Sequence, residues 1–304
     1  MRNMLKRLLR FFFFLLVTGT LLWCSSCQNQ SLVLDQLLTD MKAYKTYSHH
    51  RGDLYEHSMW VEQYMSRWAM GQDKEMNWVQ QWMANFTERE KYIVALAGLL
   101  HDIGKAGDPD CSKNESYRKD GVNILYWSKK EHEYVGFEYV MHDIGDAAKF
   151  KQGYLNVNGQ PLNFKQLFNE LHIADQEQRI VAVLIGSHKL FPLLLVHQKT
   201  EKVTEKTFIE KVKKLLRESG VTTPLNEKIL SMVMVLSIAD LCASYFPVEQ
   251  PGPSLVFGKF ILCKKVHEFP EEASMVAAIK EKFTMRAPAV RCKIFANLCS
   301  CGIK

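Results

Sequence analysis

One short run carries the residue types that metal chemistry needs: Leu99-Leu-His-Asp-Ile-Gly-Lys105. It ends the run from Glu90 to His101, where Tyr92, Ile93, Val94, Leu96, Leu99 and Leu100 leave hardly any polar side, as expected of a central helix. A histidine and an aspartate at the end of such a helix need a partner, because a carboxylate buried alone costs several kcal/mol. A divalent cation supplies one. Adjacent helical residues point about 100° apart, so His101 and Asp102 share an ion only if it lies beside the helix end.

Four further residues, each on a predicted helix, fit a shared centre: His57 in Tyr55-Glu-His-Ser, His132 in His132-Glu-Tyr-Val-Gly136, His188 in Ile185-Gly-Ser-His and Asp240 in Ser237-Ile-Ala-Asp. Imidazoles and carboxylates are borderline-to-hard ligands suited to iron, manganese, nickel or zinc. Six of them are enough for two divalent ions bridged by one carboxylate. His132 and His188 decide between one ion and two.

The set resembles the HD superfamily of metal-dependent phosphohydrolases, whose signature is a His, a His-Asp pair and a distant Asp. The matching residues are His57, His101 with Asp102, and Asp240, over Leu54 to Tyr245. In binuclear members two more histidines lie between the pair and the last Asp, and His132 and His188 stand in matching contexts. The resemblance implies that Asp102 bridges the ions, with His57, His101 and Asp240 on one and His132 and His188 on the other. It implies hydrolysis of a phosphate monoester or diester, on a small phosphorylated substrate of which nucleotides are one class. Such ions acidify water and stabilise phosphoryl charge. Asp102 and Lys105 are the expected catalytic residues, Lys105 contacting a phosphate oxygen or the leaving group.

Two departures narrow the expectation. About 44 residues separate His57 from His101, with Trp68, Trp78 and Trp82 in an added helical element. The Gly-Tyr-Pro motif of the cyclic-dinucleotide branch is missing, which disfavours a cyclic dinucleotide. Two rival functions use the same ligands. Di-iron oxygenases related to myo-inositol oxygenase resemble the set, including a His-Asp-x-Gly-Lys string. A catalytically inactive nucleotide-binding module is the other, and the retention of six candidate ligands speaks against it.

Some polar residues read more simply. Met141-His-Asp-Ile-Gly-Asp146 repeats the string after a shorter, less apolar helix and lacks the lysine, so His142 and Asp143 read as a helix-terminal pair. His49 and His50 read as a solvated loop, Asp175 as a helix N-terminal acid, and Thr200 to Lys214 as an exposed helical face.

The elements that must position these side chains are helical, which makes the expected fold an all-α bundle. Tyr55, Met59, Trp60, Tyr64 and Trp68 recur at helical spacing. Further helices are expected over Glu131 to His142, Gln176 to Leu190 and Asn226 to Phe246. Asn158-Gly159 predicts a small hairpin insert between helices. Pro247, Pro251, Gly252 and Pro253 mark a boundary, so the reading is a catalytic domain over 28–250 and an appendage over 251–304. The appendage is expected to hold a strand from Ser254 to Cys263 and a helix around Glu271 to Phe283.

Residues 1–27 read as a signal peptide or membrane-targeting segment: basic to Arg10, apolar from Phe11 to Trp23, then small and polar. An apolar run of about 13 residues is shorter than the roughly 20 of a spanning helix, which favours export with cleavage. Ser25-Ser-Cys27 faintly resembles a lipoprotein cysteine, so a membrane tether is a second expectation and a cytoplasmic location the alternative. An exported place disfavours the oxygenase, because ferrous iron is harder to keep reduced there. Without that segment the formal charge of +6 drops to +2, with 35 basic and 33 acidic residues, which argues against a nucleic-acid surface. No Cys-x-x-Cys pair stands in the body, and Cys292, Cys299 and Cys301 could form a disulfide or remain thiols.

Overall fold

Apolar faces at helical spacing dominate the chain, and the protein folds accordingly into an all-α bundle. The computed structural model describes residues 31–44, 53–74, 76–106, 114–119, 122–127, 132–196, 204–245, 252–258, 260–261 and 273–300. The targeting segment, His49, His50 and Cys301 lie outside them. The helices are α1 (Leu32–Met41), α2 (Leu54–Ala69), α3 (Asn77–Met83), α4 (Glu88–Leu100), α5 (His132–His142), α6 (Phe164–Glu170), α7 (Asp175–Ser187), α8 (Leu190–Val196), α9 (Glu205–Ser219), α10 (Glu227–Tyr245) and α11 (Ala273–Ser300).

Capping explains where two of the site-bearing helices begin. Asp53 and Glu56 form a reciprocal capping box at the start of α2, and Thr87 and Glu90 do the same for α4. Both boxes satisfy backbone N–H groups that the first turn leaves without partners. Helix α4 buries every residue from Ile93 to Leu100, and α10 is buried from Ile229 to Asp240, so these two form the centre of the core. The amphipathic α9 covers it, burying Phe208, Ile209, Val212, Leu215 and Leu216 while its lysines face outward.

Three antiparallel two-stranded ribbons complete the described chain. Strands β1 (Asn114–Lys119) and β2 (Val122–Trp127) pair between α4 and α5. Strands β3 (Asn156–Val157) and β4 (Gln160–Pro161) form the expected insert. Its turn residues Asn158 and Gly159 both have positive φ, 54° and 76°, the pair of left-handed conformations a type I′ hairpin requires.

The C-terminal stretch differs from its sequence expectation. The only described pairing there is two residues long, β5 (Gly252–Pro253) with β6 (Phe260–Ile261), in place of a strand over Ser254 to Cys263. The helix expected to end near Phe283 instead continues to Ser300 through Pro288. Around that proline, Ala287 before it and Val290, Ile294 and Leu298 after it are buried in the same core cluster as α4 and α10, and this burial outweighs the backbone bond the ring removes. The guanidinium of Arg291 lies 5.0 Å from the Trp82 ring centroid and 4.3 Å from that of Phe295. Upstream, the buried Glu62 of α2 accepts hydrogen bonds from Ser254 Oγ at 2.7 Å, Ser66 Oγ at 2.8 Å and the Val256 amide at 3.3 Å.

Candidate metal centre

All six predicted ligands converge on one buried spot. His57, His101, Asp102 and His188 are fully buried, and His132 and Asp240 nearly so. His57 comes from the second turn of α2, His101 and Asp102 from the end of α4, and Asp240 from deep within α10. His132 opens α5, and His188 caps the C-terminus of α7.

Close backbone packing sets these positions. A Cβ on Gly104 would stand 2.0 Å from the His132 carbonyl oxygen and 2.6 Å from the Gly136 nitrogen, so only glycine lets the 3-10 turn Ile103–Lys105 lie against α5. That approach brings Asp102 to His132. On the other side, Gly98 lies against Met65 and Val61 of α2, which brings His101 to His57.

The centre divides about the Asp102 carboxylate. Its Oδ2 lies 3.6 Å from His57 Nε2 and 3.4 Å from His101 Nε2. Its Oδ1 lies 2.8 Å from His132 Nε2 and 3.8 Å from His188 Nε2. On the first side, Asp240 Oδ1 approaches His57 Nε2 at 3.1 Å and His101 Nε2 at 3.5 Å. Potential ligand atoms of His57, His101 and Asp102 lie within 4.8 Å of one another, as do those of Asp102, His132 and His188, and those of His101, His188 and Asp240.

Backbone carbonyls orient two of the rings. His101 Nδ1 lies 2.8 Å from the Gly98 oxygen and His188 Nδ1 2.7 Å from the Ile185 oxygen. A carbonyl only accepts, so Nδ1 carries the hydrogen and Nε2 faces the centre, the arrangement that prepares an imidazole for a metal. His188 Nε2 makes no hydrogen bond although it is buried among potential ligands. A buried nitrogen without a hydrogen-bond partner, amid carboxylates and further imidazoles, fits a divalent cation.

Electrostatics separate the two sides. Burial pulls the His101 imidazole down, but Asp102 and Asp240 together outweigh it and raise the pKa to about 10. Burial pulls His132 down to about 3 with help from the Lys105 charge, and His188 down to about 4 with help from His101. Asp102 is held well below the usual carboxylate range: His101, Lys105 and His132 overcome a burial penalty that would raise it. Lys105 Nζ lies 2.5 Å from Asp102 Oδ2, yet burial outweighs the attraction and its pKa is lowered. A proton on His101 and the Lys105 ammonium thus balance the two carboxylates, a role that a bound cation would take over.

Other polar residues singled out in the sequence lie away from the centre. The second His-Asp string serves the scaffold: His142 Nδ1 lies 3.0 Å from Asp143 Oδ1, while Asp143 Oδ2 accepts from the Phe164 amide at 2.6 Å. Asp175 opens α7. Cys242 is buried and Cys292 exposed. Two residues beside the centre were not singled out in the sequence. Lys189 Nζ lies 3.0 Å from His132 Nδ1 and 3.5 Å from Glu133 Oε2. Each follows a ligand directly, and that adjacency was the available signal.

No curated protein and no solved structure matches the chain. The family model described as HD domain matches residues 54–243, which include His57, His101, Asp102, His132, His188 and Asp240, and by that match the chain belongs to the HD-domain family.

Proposed function

We propose that the protein hydrolyses phosphate monoesters or diesters of small molecules, nucleotides among them, at a two-ion centre. The division of Asp102 carries this reading: one oxygen meets His57 and His101, the other meets His132 and His188. His57, His101 and Asp240 would hold one ion, His132 and His188 the other, and Asp102 both. Divalent ions at such a site lower the pKa of water and neutralise charge on a phosphoryl group.

The chain's own residues do the remainder. His188, fixed through Nδ1, presents Nε2 without a reorganisation cost, and His101, fixed the same way, presents its own once the Nε2 proton has left. Lys105, buried beside Asp102, places an ammonium where a phosphate oxygen or a departing oxygen gathers charge. Burial keeps these charges from being screened by water.

The test is release of phosphate or p-nitrophenol from simple phosphoesters by protein loaded with manganese, iron, nickel or zinc. Asp102→Ala should abolish turnover while the helical circular dichroism stays intact. Undiminished turnover in that variant would sink the reading. For location, we infer an extracytoplasmic place from the basic and apolar segment over 1–27. Recovery of the full-length chain only from the cytosolic fraction would remove it.

A further inference from the structure

His132 differs from the other oriented histidines in what meets the back of its ring. His101 and His188 turn Nδ1 to a carbonyl, an acceptor. His132 turns Nδ1 to Lys189 Nζ at 3.0 Å, and an ammonium can only donate. Nδ1 is therefore the acceptor, and the ring's hydrogen sits on Nε2, the nitrogen that faces Asp102 Oδ1 at 2.8 Å. In that tautomer Nε2 has no lone pair for a cation.

When Nε2 serves as a ligand, the hydrogen must move to Nδ1, with no change in the ring's charge. The Nδ1–H and the Lys189 ammonium would then face each other as two donors, which is repulsive. One acceptor stands within reach of both. Glu133 Oε2 lies 3.9 Å from His132 Nδ1 and 3.5 Å from Lys189 Nζ, is buried, and makes no hydrogen bond. A buried carboxylate oxygen in that condition is costly unless another state uses it.

We propose that Glu133 and Lys189 form a two-position switch on His132: Lys189 holds the ring in a tautomer that refuses the second ion, and Glu133 takes Nδ1–H when that ion binds. Glu133 is thus a positioning residue for the second ion, and Lys189 is its competitor. The side chain of Lys189 is 40% exposed, so it has room to swing away. This rests on the two-ion reading above.

The experiment titrates metal-stripped, full-length protein with manganese, counting ions by electron paramagnetic resonance. Zinc-loaded samples serve to read the His132 tautomer by nitrogen-15 NMR. Lys189→Met should tighten the weaker ion about tenfold, and Glu133→Ala should weaken it about 10- to 100-fold, the range for loss of an outer partner, leaving the tighter ion unchanged. Glu133→Gln, whose amide oxygen still accepts, should keep the Nδ1–H tautomer in the zinc form, which a merely structural role would not require. The switch is overturned if Lys189→Met leaves the weaker ion's affinity unchanged, or if stripped wild type already carries its hydrogen on Nδ1. A single ion in both wild type and Lys189→Met overturns the switch but leaves a one-ion hydrolase standing. No bound ion in any form overturns the metal reading itself.

Discussion

The two sides of the centre are built differently. His57, His101 and Asp240 are carried by α2, α4 and α10, the long helices that make the core, and polar contacts among these residues and Asp102 surround each ring. His132 opens α5 with Lys189 and Glu133 against it, while His188, like His101, caps the C-terminus of its helix. A ligand fixed by core packing has little room to change state. One with a partly exposed ammonium against its ring, as His132 has in Lys189, can be tuned by its neighbours. On the two-ion reading proposed above, the first side would be the permanent ion site and the second the adjustable one.

The largest effects should come from the ligands, and they should be side-specific. His101→Ala is expected to lose the tighter ion and His188→Ala the weaker, each by more than the roughly 100-fold that an outer partner commands. Asp102→Ala should lose both. Equal loss of both ions in His188→Ala, counted by manganese titration, would break the division. Next in size is Gly104→Ala. Its Cβ would meet backbone atoms of α5, which cannot rotate away, so α5 must retreat and carry His132 with it. The expected cost is about 3 kcal/mol, the upper end for overpacking. Thermal unfolding checks this, and the weaker ion should be lost before the tighter one.

Much of this centre was legible because its candidate ligands lie in or at the ends of strongly apolar helices, and adjacency alone marked His101 and Asp102. What was not legible depends on approach between distant segments. Nothing local to Glu62 says that it meets Ser254, 192 residues later. The expected helix from Gln176 to Leu190 is broken in the structure between α7 and α8, because the apolar pattern runs on while the chain turns at His188. The extension of α11 past Pro288 reflects burial that a local reading of proline does not register.

Glu62 tests how firmly the first side's helix α2 is held. Burial pushes its carboxyl up to about 7 from 4.5, against the hydroxyls of Ser254 and Ser66. Between those values the folded protein keeps a proton that the unfolded chain has released, so stability falls as pH rises from 4.5 towards 7 and stays lowered above it. The shift corresponds to on the order of 3 kcal/mol. Glu62→Gln should match wild type at pH 5 and exceed it at pH 8 by about 1–3 kcal/mol, read from urea midpoints. An unchanged difference between the two pH values would show that Glu62 is solvated.

The two sides should also answer differently to pH when ions bind. His101, raised to about 10, must give up a proton to solvent when the first ion binds at neutral pH, so that affinity should fall about tenfold per unit of acidification. His132 and His188, lowered to about 3 and about 4, are already neutral, and the second ion should bind with no such slope between pH 6 and 8. Calorimetry in buffers of differing ionisation enthalpy counts the protons directly. A shared slope would mean that the sides titrate as one unit.

The smallest effect should come from Gly98→Ala, the first-side counterpart of Gly104→Ala. Its Cβ would lie 2.8 Å from Met65 Sδ, 3.0 Å from Met65 Cε and 3.1 Å from Val61 Cγ1. The two closest atoms belong to the end of a flexible thioether, which can rotate where a backbone cannot. Alanine also restricts the unfolded chain more than glycine does, and it favours the helical state that α4 requires at this position. The gain of about 0.5–1 kcal/mol offsets most of the crowding, leaving a net change within about 1 kcal/mol and both ions bound. Two glycines three residues either side of His101 would then differ by several-fold in cost, because one meets a side chain and the other a main chain. If Gly98→Ala instead costs as much as Gly104→Ala in thermal unfolding, the first side is as tightly constrained at its contact as the second, and its permanence must come from the ligands alone.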